Sequence, residues 1–261
     1  MKIYTKESLI DELNKIRNMG WIPNARHGNH GGIGNTLEDL LGISENNLPI
    51  PNAAEWELKT SAFDSASLTT LFHMEPSPRA IRFVPKILLP YYGWTHQEAG
   101  GRYSVNELSF RQTISGSFIS DRGFTVLPDR ATQRVLISFD SAKVDSRHDD
   151  WLNSVECRIG LGQLIPQPYW GIDDLYSKAR TKLLNCFYVQ AKKKREDGKE
   201  LYWYDKIMML QKFDCEKFLL AIENGNIYVD FDARTGHNHG TKFRMKQNAL
   251  PTLYEKVTEI I

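Results

Sequence analysis

Apolar residues near the start of the chain recur at helical spacing. Leu9, Ile10, Leu13 and Ile16 share one face, which predicts a helix over 8–19 that Gly20 closes. A glycine- and histidine-rich loop follows, from His27 to Gly34. The run Leu37-Glu38-Asp39-Leu40-Leu41 predicts a short helix, capped by Asn35 or Thr36 and ended by Gly42. Glu45–Asn52 holds two prolines and three asparagines and reads as a loop. Trp56-Glu57-Leu58-Lys59-Thr60 alternates like a strand, and Thr69–Met74 reads as another. From about 85 to 170 the pattern is strand-rich, with Phe124–Val126 and Val135–Phe139 forming a hairpin across Pro128-Asp129. An amphipathic helix is predicted over 172–184, through Ile172, Leu175, Tyr176, Ala179 and Leu183. Two strands, near 186–192 and 200–210, flank the turn Glu196-Asp197-Gly198-Lys199. Asp214 caps a helix carrying Phe218, Leu219 and Ile222 that stops at Gly225, and a strand follows at 226–231. No internal repeat is visible. The pattern is that of a mixed α/β protein.

Composition narrows the class. With 261 residues, 41% hydrophobic and 25% charged, the chain is neither disordered, collagen-like nor a disulfide miniprotein. No stretch approaches the roughly 18 apolar residues of a membrane span. Lys2, Lys6 and Glu7 stand where a signal peptide needs an apolar run, so the expected location is the cytoplasm. Cys157, Cys186 and Cys215 are odd in number, far apart and without a Cys-x-x-Cys, as befits buried thiols in a reducing compartment. The net charge of +1 neither announces nor excludes a nucleic-acid partner, because a binding face needs only local charge.

Glu57-Leu58-Lys59 carries the sharpest chemistry. On a strand, residues i and i+2 share a face, so Glu57 and Lys59 project together, with Glu55 in line if the strand begins early; Trp56 and Leu58 face the core. Such a pair suits phosphodiester hydrolysis: the carboxylate holds Mg²⁺, and the lysine offsets developing negative charge. The tripeptide alone also fits an exposed ion pair. Glu38, on the short helix before the proline loop, is a candidate third carboxylate or a solvated helix residue.

The second unit is His237-Asn238-His239-Gly240-Thr241-Lys242-Phe243-Arg244. It reads as half of a zinc site with His27 and His30, as an inconsequential surface loop, or as a loop that reads bases. His, Asn and Arg all hydrogen-bond to base edges, Arg especially to guanine. Asp230, Asp232 and Arg234, just upstream, add acceptors and a donor. Lys192, Lys193 and neighbouring Lys194 and Arg195 suit phosphate contacts or a solvated hairpin tip, and Lys242 is a further phosphate candidate. The Gly28–Gly34 loop lacks Gly-Lys-Ser/Thr and is not a nucleotide P-loop.

Read together, these units resemble the MvaI/BcnI family of type II restriction endonucleases, related in fold to MutH. The resemblance rests on ordered pieces: Gly32–Leu41, Asn46-Asn47-Leu48, Pro51, Glu57–Thr60, Leu71-Phe72, Gln112–Gly116, Ile222–Ile227, Val229-Asp230 and His237–Arg244. It implies a restriction-endonuclease-like α/β fold of the PD-(D/E)xK type, with a mixed-sheet core and a second, DNA-recognition lobe. The expected division is a mainly catalytic lobe over residues 1–165 and a mainly DNA-recognition lobe over 166–261, with the chain free to cross between them.

By this resemblance Glu57 is a metal-binding carboxylate, Lys59 the catalytic lysine and Glu38 an auxiliary acid. His237, His239 and Arg244 contact the DNA site, with Asp230 a partner; Asp232, Arg234 and Asn238 complete the candidate reading set. Family members bind double-stranded DNA as monomers, cut short CCNGG-type sites with Mg²⁺, and work beside a cognate DNA methyltransferase. Two departures stand out. The family's first metal-binding aspartate falls on Asn52, whose uncharged amide oxygen is a weaker Mg²⁺ ligand, so Glu55 is the alternative ligand. Asn238 stands where a relative has aspartate, and it donates as well as accepts. The alternatives are a MutH-like repair nicking endonuclease, a DNA-binding protein impaired by Asn52, and a zinc-binding structural protein.

Overall fold

The computed structural model describes residues 4–24, 32–43, 56–63 and 67–260. The chain divides into two compact units. One comprises Met1–Thr69, Lys178–Cys215 and Lys246–Ile261; the other comprises Thr70–Ser177 and Glu216–Met245. The chain therefore passes between the units four times. The reason lies in the sheets: the five-stranded and six-stranded ones each take strands from distant parts of the sequence, so no one cut separates the units.

The first unit opens with α1 (Lys6–Asn18), capped by the Thr5 hydroxyl, which accepts from the Ser8 amide at 3.2 Å. Gly20 follows at φ 71°, the left-handed conformation that closes a helix. β1 (Ile22–Pro23) leads on to α2 (Gly32–Leu41) and β2 (Glu57–Ala62). α2 begins earlier than the capping residues predicted, and Thr36 is buried inside it. The cause is tertiary: a side chain at Gly32 would collide with the Tyr202 hydroxyl and the Asn24 amide, so glycine lets the helix start close against the sheet.

The second unit carries β3 (Leu68–His73), α3 (Leu89–Tyr92), β4 (Trp94–Thr95), β5 (Leu108–Ser115), β6 (Arg122–Asp129), β7 (Arg134–Val144), α4 (Asp149–Ile159) and β8 (Tyr169–Gly171). β6 and β7 form the predicted hairpin. α4 was not predicted, because only Trp151 and Val155 anchor it among polar residues; a wide apolar stripe is missing. The Trp151 indole instead donates to the Tyr92 carbonyl at 3.0 Å.

α5 (Ile172–Leu183) carries the chain back to the first unit, where β9 (Asn185–Glu196) and β10 (Lys199–Phe213) form a long hairpin. Its turn places Asp197 at φ 49° and Gly198 at φ 75°, the pair of positive φ values that a two-residue hairpin favours. α6 (Cys215–Glu223), β11 (Ile227–Arg234), β12 (His237–Asn238) and β13 (Lys242–Lys246) follow, and β14 (Tyr254–Glu259) ends the described chain.

The first unit's sheet runs β1-β10-β9-β2, with β14 also on β10; β2 lies parallel to β9. One face packs Leu58, Phe187, Val189, Ile207 and Met209 against Leu9, Leu13, Ile16, Leu37 and Leu41 of α1 and α2. The second unit holds a six-stranded sheet, β3-β13-β11-β5-β4 with β12 on β11, and a three-stranded sheet, β6-β7-β8. Phe110, Phe124, Phe139 and Phe231 are buried among its strands, each within edge or tilted ring contact of another.

Candidate functional site

Glu57 and Lys59 stand on β2 with their side chains together, as the strand period requires. Lys59 Nζ lies 2.9 Å from Glu57 Oε1. Trp56 and Leu58, one residue out of step, enter the core with Phe187. The pair is not an exposed one: Glu57 is 7% exposed. Its second oxygen, Oε2, is buried with no hydrogen-bond partner among the described residues. A buried carboxylate oxygen without a donor is costly unless a cation meets it.

The β2–β9 register puts Cys186 beside Glu57 and Tyr188 beside Lys59. The Tyr254 hydroxyl donates to Cys186 Sγ at 3.1 Å. Burial pushes the Cys186 thiol up to about 12, against the partial pull of the Lys59 charge and the Tyr254 hydrogen bond. Tyr188 joins Ser61 at 2.8 Å and donates to the Gln247 carbonyl at 2.7 Å. The pair thus rests on a floor of neutral, hydrogen-bonded groups. Sequence reading missed this floor, because Cys186 and Tyr188 sit in an ordinary apolar strand run.

The loop residues Asn52, Glu55, His27 and His30 lie outside the described residues. Glu38 is half-buried on α2, between two leucines of the core. Among the described residues no three His, Cys, Asp or Glu side chains converge on one metal position.

The second cluster forms on one face of the six-stranded sheet. β11 alternates strictly, with Ile227, Val229, Phe231 and Ala233 buried and Tyr228, Asp230, Asp232 and Arg234 on the open side. The register sets Asp230 between Thr113 of β5 and Lys242 of β13, and Asp232 beside Arg111 of β5. Asp230 Oδ1 accepts from the Thr113 hydroxyl at 2.8 Å, and its Oδ2 accepts from Arg244 Nη1 at 3.2 Å. Asp232 meets Arg111 Nε at 2.8 Å and Lys242 Nζ at 3.7 Å. Arg234 reaches buried Glu107 at 3.1 Å and lies over the Tyr103 ring.

His237 and Asn238, the short strand β12 paired back on β11, and His239 are exposed beyond Gly236, which takes φ 71° at the turn. The two imidazoles meet edge to face, 4.3 Å apart, and the His239 amide donates to the Asp232 carbonyl. Glu75, which sequence reading did not single out, holds the loop's far end. It accepts from the Thr241 amide at 3.0 Å, the Thr241 hydroxyl at 3.1 Å and the Asn238 amide at 3.4 Å. Two grooves mark the face. One of about 580 Å³ lies along Trp94, Tyr103, Arg234 and His239, and one of about 340 Å³ along Thr113, Asp230, Lys242 and Arg244.

The basic hairpin is less free than its sequence implied. Lys192 lies 2.5 Å from Asp205 and over the Trp203 ring, Lys194 pairs with Glu196 and covers Trp21, and Lys193 adds positive charge near Glu200.

Against known proteins, residues 10–254 match the pattern of the MvaI/BcnI restriction endonuclease family. The chain belongs to this family. It is similar to the solved structure of restriction endonuclease MvaI in complex with its cognate DNA substrate, with 25% identity over 99% of this chain and 100% of that one, at a TM-score of 0.77. It is also similar to MvaI in the absence of DNA, with 25% identity over all of both chains, at a TM-score of 0.56. No curated protein matches.

As an MvaI/BcnI family member the chain is a type II site-specific deoxyribonuclease with a mixed-sheet restriction-endonuclease fold. Restriction endonucleases generally act with a divalent metal ion, and the unpartnered Glu57 Oε2 beside a lysine fits one ligand of such an ion. Family-like motifs that are distant in sequence meet in space: a side chain at Gly116 would strike the Ile222 carbonyl, and one at Gly225 would strike Ser115 and Ser117. Among the described residues no helix is long and apolar enough to cross a membrane.

Proposed function

We propose that this chain is a Mg²⁺-dependent, monomeric enzyme that cuts double-stranded DNA at a short CCNGG-type site, in a cytoplasmic system with a cognate methyltransferase. The observation that carries it is the buried Glu57–Lys59 pair with one carboxylate oxygen unsatisfied. Glu57 holds the ion, with Asn52, or Glu55 in its stead, as a further ligand and Glu38 as auxiliary acid. When bound, Mg²⁺ polarises a phosphate oxygen and lowers the pKa of water. Lys59 is held at 2.9 Å by Glu57, so its ammonium is fixed in orientation. It offsets charge developing on the scissile phosphate and orients the attacking water by hydrogen bonding. The apolar underside of the sheet and the neutral Cys186–Tyr254 contact add no charge of their own beside that ammonium.

The first unit is the catalytic lobe and the second the reading lobe in this account. Asp230, Asp232, Arg234, His237, Asn238, His239 and Arg244 line a face whose donors and acceptors suit base edges, while Lys192, Lys193 and Lys242 supply positive charge for phosphates. A monomer carries one Glu57–Lys59 pair and so nicks the two strands in separate events.

Supercoiled plasmid incubated with Mg²⁺ or with EDTA tests this reading, using the chain as it stands and its Asn52→Asp variant. Mg²⁺-dependent fragments with uniform ends, preceded by a nicked intermediate, are the expected result. Cutting by Asn52→Asp alone would make the amide an impaired ligand and the natural chain chiefly a DNA binder. No site-specific cutting by either protein would overturn the reading.

A further inference from the structure

We propose that Arg111 is a specificity-determining residue that reads a guanine in the major groove, and that Asp232 positions it rather than contacting a base. This rests on the DNA-reading role assigned above to the second unit. Three arginines on that unit's open face are each tied to a carboxylate: Arg244 to Asp230, Arg234 to Glu107 and Arg111 to Asp232. They differ in how far they stand out. The Arg244 and Arg234 side chains are 31% and 35% exposed, and Arg234 is further covered by Tyr103; the Arg111 side chain is 61% exposed. Arg111 and Asp232 are also the two residues that line both grooves, so their pair forms the ridge between them.

The geometry of the pair divides the labour. Asp232 meets Arg111 at Nε, the guanidinium nitrogen nearest the chain, at 2.8 Å. The two terminal nitrogens lie farther out, on the exposed end of a side chain whose root is fixed in a central strand. A planar fork of that kind matches O6 and N7 of guanine with two parallel hydrogen bonds. Asp232, by contrast, already has a cation on each oxygen, Arg111 on Oδ1 and Lys242 on Oδ2. A carboxylate flanked by two cations suits a brace for the arginine better than a reader of cytosine amino groups.

The test is selection of bound duplexes from a random-sequence pool, with Ca²⁺ in place of Mg²⁺ so that binding is read without cutting. The natural chain is compared with Arg111→Ala, Arg111→Lys and Asp232→Asn. Arg111→Ala is expected to lose preference at one guanine position only, with specific affinity down roughly 10- to 100-fold. Arg111→Lys keeps the charge without the fork, so it is expected to bind non-selected DNA as the natural chain does and still lose that guanine. Replacing this guanine by 7-deazaguanine is expected to weaken the natural chain and leave Arg111→Ala unaffected. Asp232→Asn is expected to blur the same position and no other. Equal loss on all sequences would make Arg111 a phosphate contact and overturn the proposal, as would unchanged preference in both Arg111 variants. A change in a different base position for Asp232→Asn would return Asp232 to the role of a direct reader. If the natural chain enriches no sequence while its variants stay folded, the DNA-reading role itself fails, and the assignment of Arg111 falls with it.

Discussion

The two polar faces of this molecule treat their carboxylates in opposite ways. On β2, Glu57 is buried and has one oxygen on Lys59 and the other without a donor among the described residues. On β11, Asp230 has both oxygens hydrogen-bonded, by Thr113 and Arg244, and Asp232 has a cation beside each oxygen, Arg111 at 2.8 Å and Lys242 at 3.7 Å. An unsatisfied buried oxygen is tolerable where a cation completes it, which is what a metal-dependent centre needs. A fully engaged carboxylate makes a poor metal ligand but a good scaffold, because it holds arginine forks at fixed angles without an ordering cost on binding. On the function proposed above, the difference teaches that the catalytic face keeps a carboxylate oxygen open for a cation, whereas the reading face neutralises its carboxylates in advance.

That contrast can be broken most sharply at Lys59. Lys59→Ala is expected to lower the cleavage rate by ~10²–10³-fold, the scale of losing one fixed charge-stabilising donor, while duplex affinity stays within about twofold. Single-turnover cleavage and fluorescence anisotropy on the same duplex measure the two quantities. A parallel fall in both would erase the division between the faces. Next in size, Arg244→Ala is expected to weaken specific binding by about 1–3 kcal/mol and leave the rate of cutting bound DNA nearly unchanged. Equal weakening on random DNA would assign Arg244 to phosphate instead.

A smaller effect is expected at Glu75, which braces the histidine loop. Glu75→Ala removes a charged acceptor from Thr241 and Asn238, so binding should fall by about 1 kcal/mol and amides of 237–241 should exchange faster with solvent. Hydrogen exchange followed by mass spectrometry separates this from a direct base contact, which would leave the free loop's exchange alone. The smallest effect concerns the floor of the catalytic face. The folded Cys186 thiol titrates near 12 against about 9 when unfolded. Its contribution is therefore fully present below pH 9 and is lost as pH rises from 9 toward 12. Urea midpoints between pH 8 and 10 should decline less steeply for Cys186→Ala than for the natural chain.

Much of this organisation was legible in the sequence, for reasons that are local. Alternation placed Glu57 and Lys59 on one face and Trp56 and Leu58 on the other, and α1, α5, α6 and the β9–β10 hairpin followed from periodicity and turn residues. What was not legible depends on partners distant in the chain. Glu75 has no motif of its own and matters only because β3 runs beside β13. Arg111 is one exposed arginine among many until the β5–β11 register sets Asp232 opposite it. The start of α2 lies where Tyr202 of β10 and Asn24 crowd Gly32, a contact no local pattern announces. α4 escaped notice because two buried side chains suffice to dock it.

The placement of β14 carries one more implication. It pairs with β10 from Met208 to Phe213, and β10 is the neighbour of the strand that flanks Glu57. Tyr254, the first residue of β14, closes over Cys186. During synthesis these contacts wait until residues 254–259 have emerged, after β13 has completed the strands of the six-stranded sheet. The sheet that carries Glu57 and Lys59 is therefore the last of the three to receive its final strand.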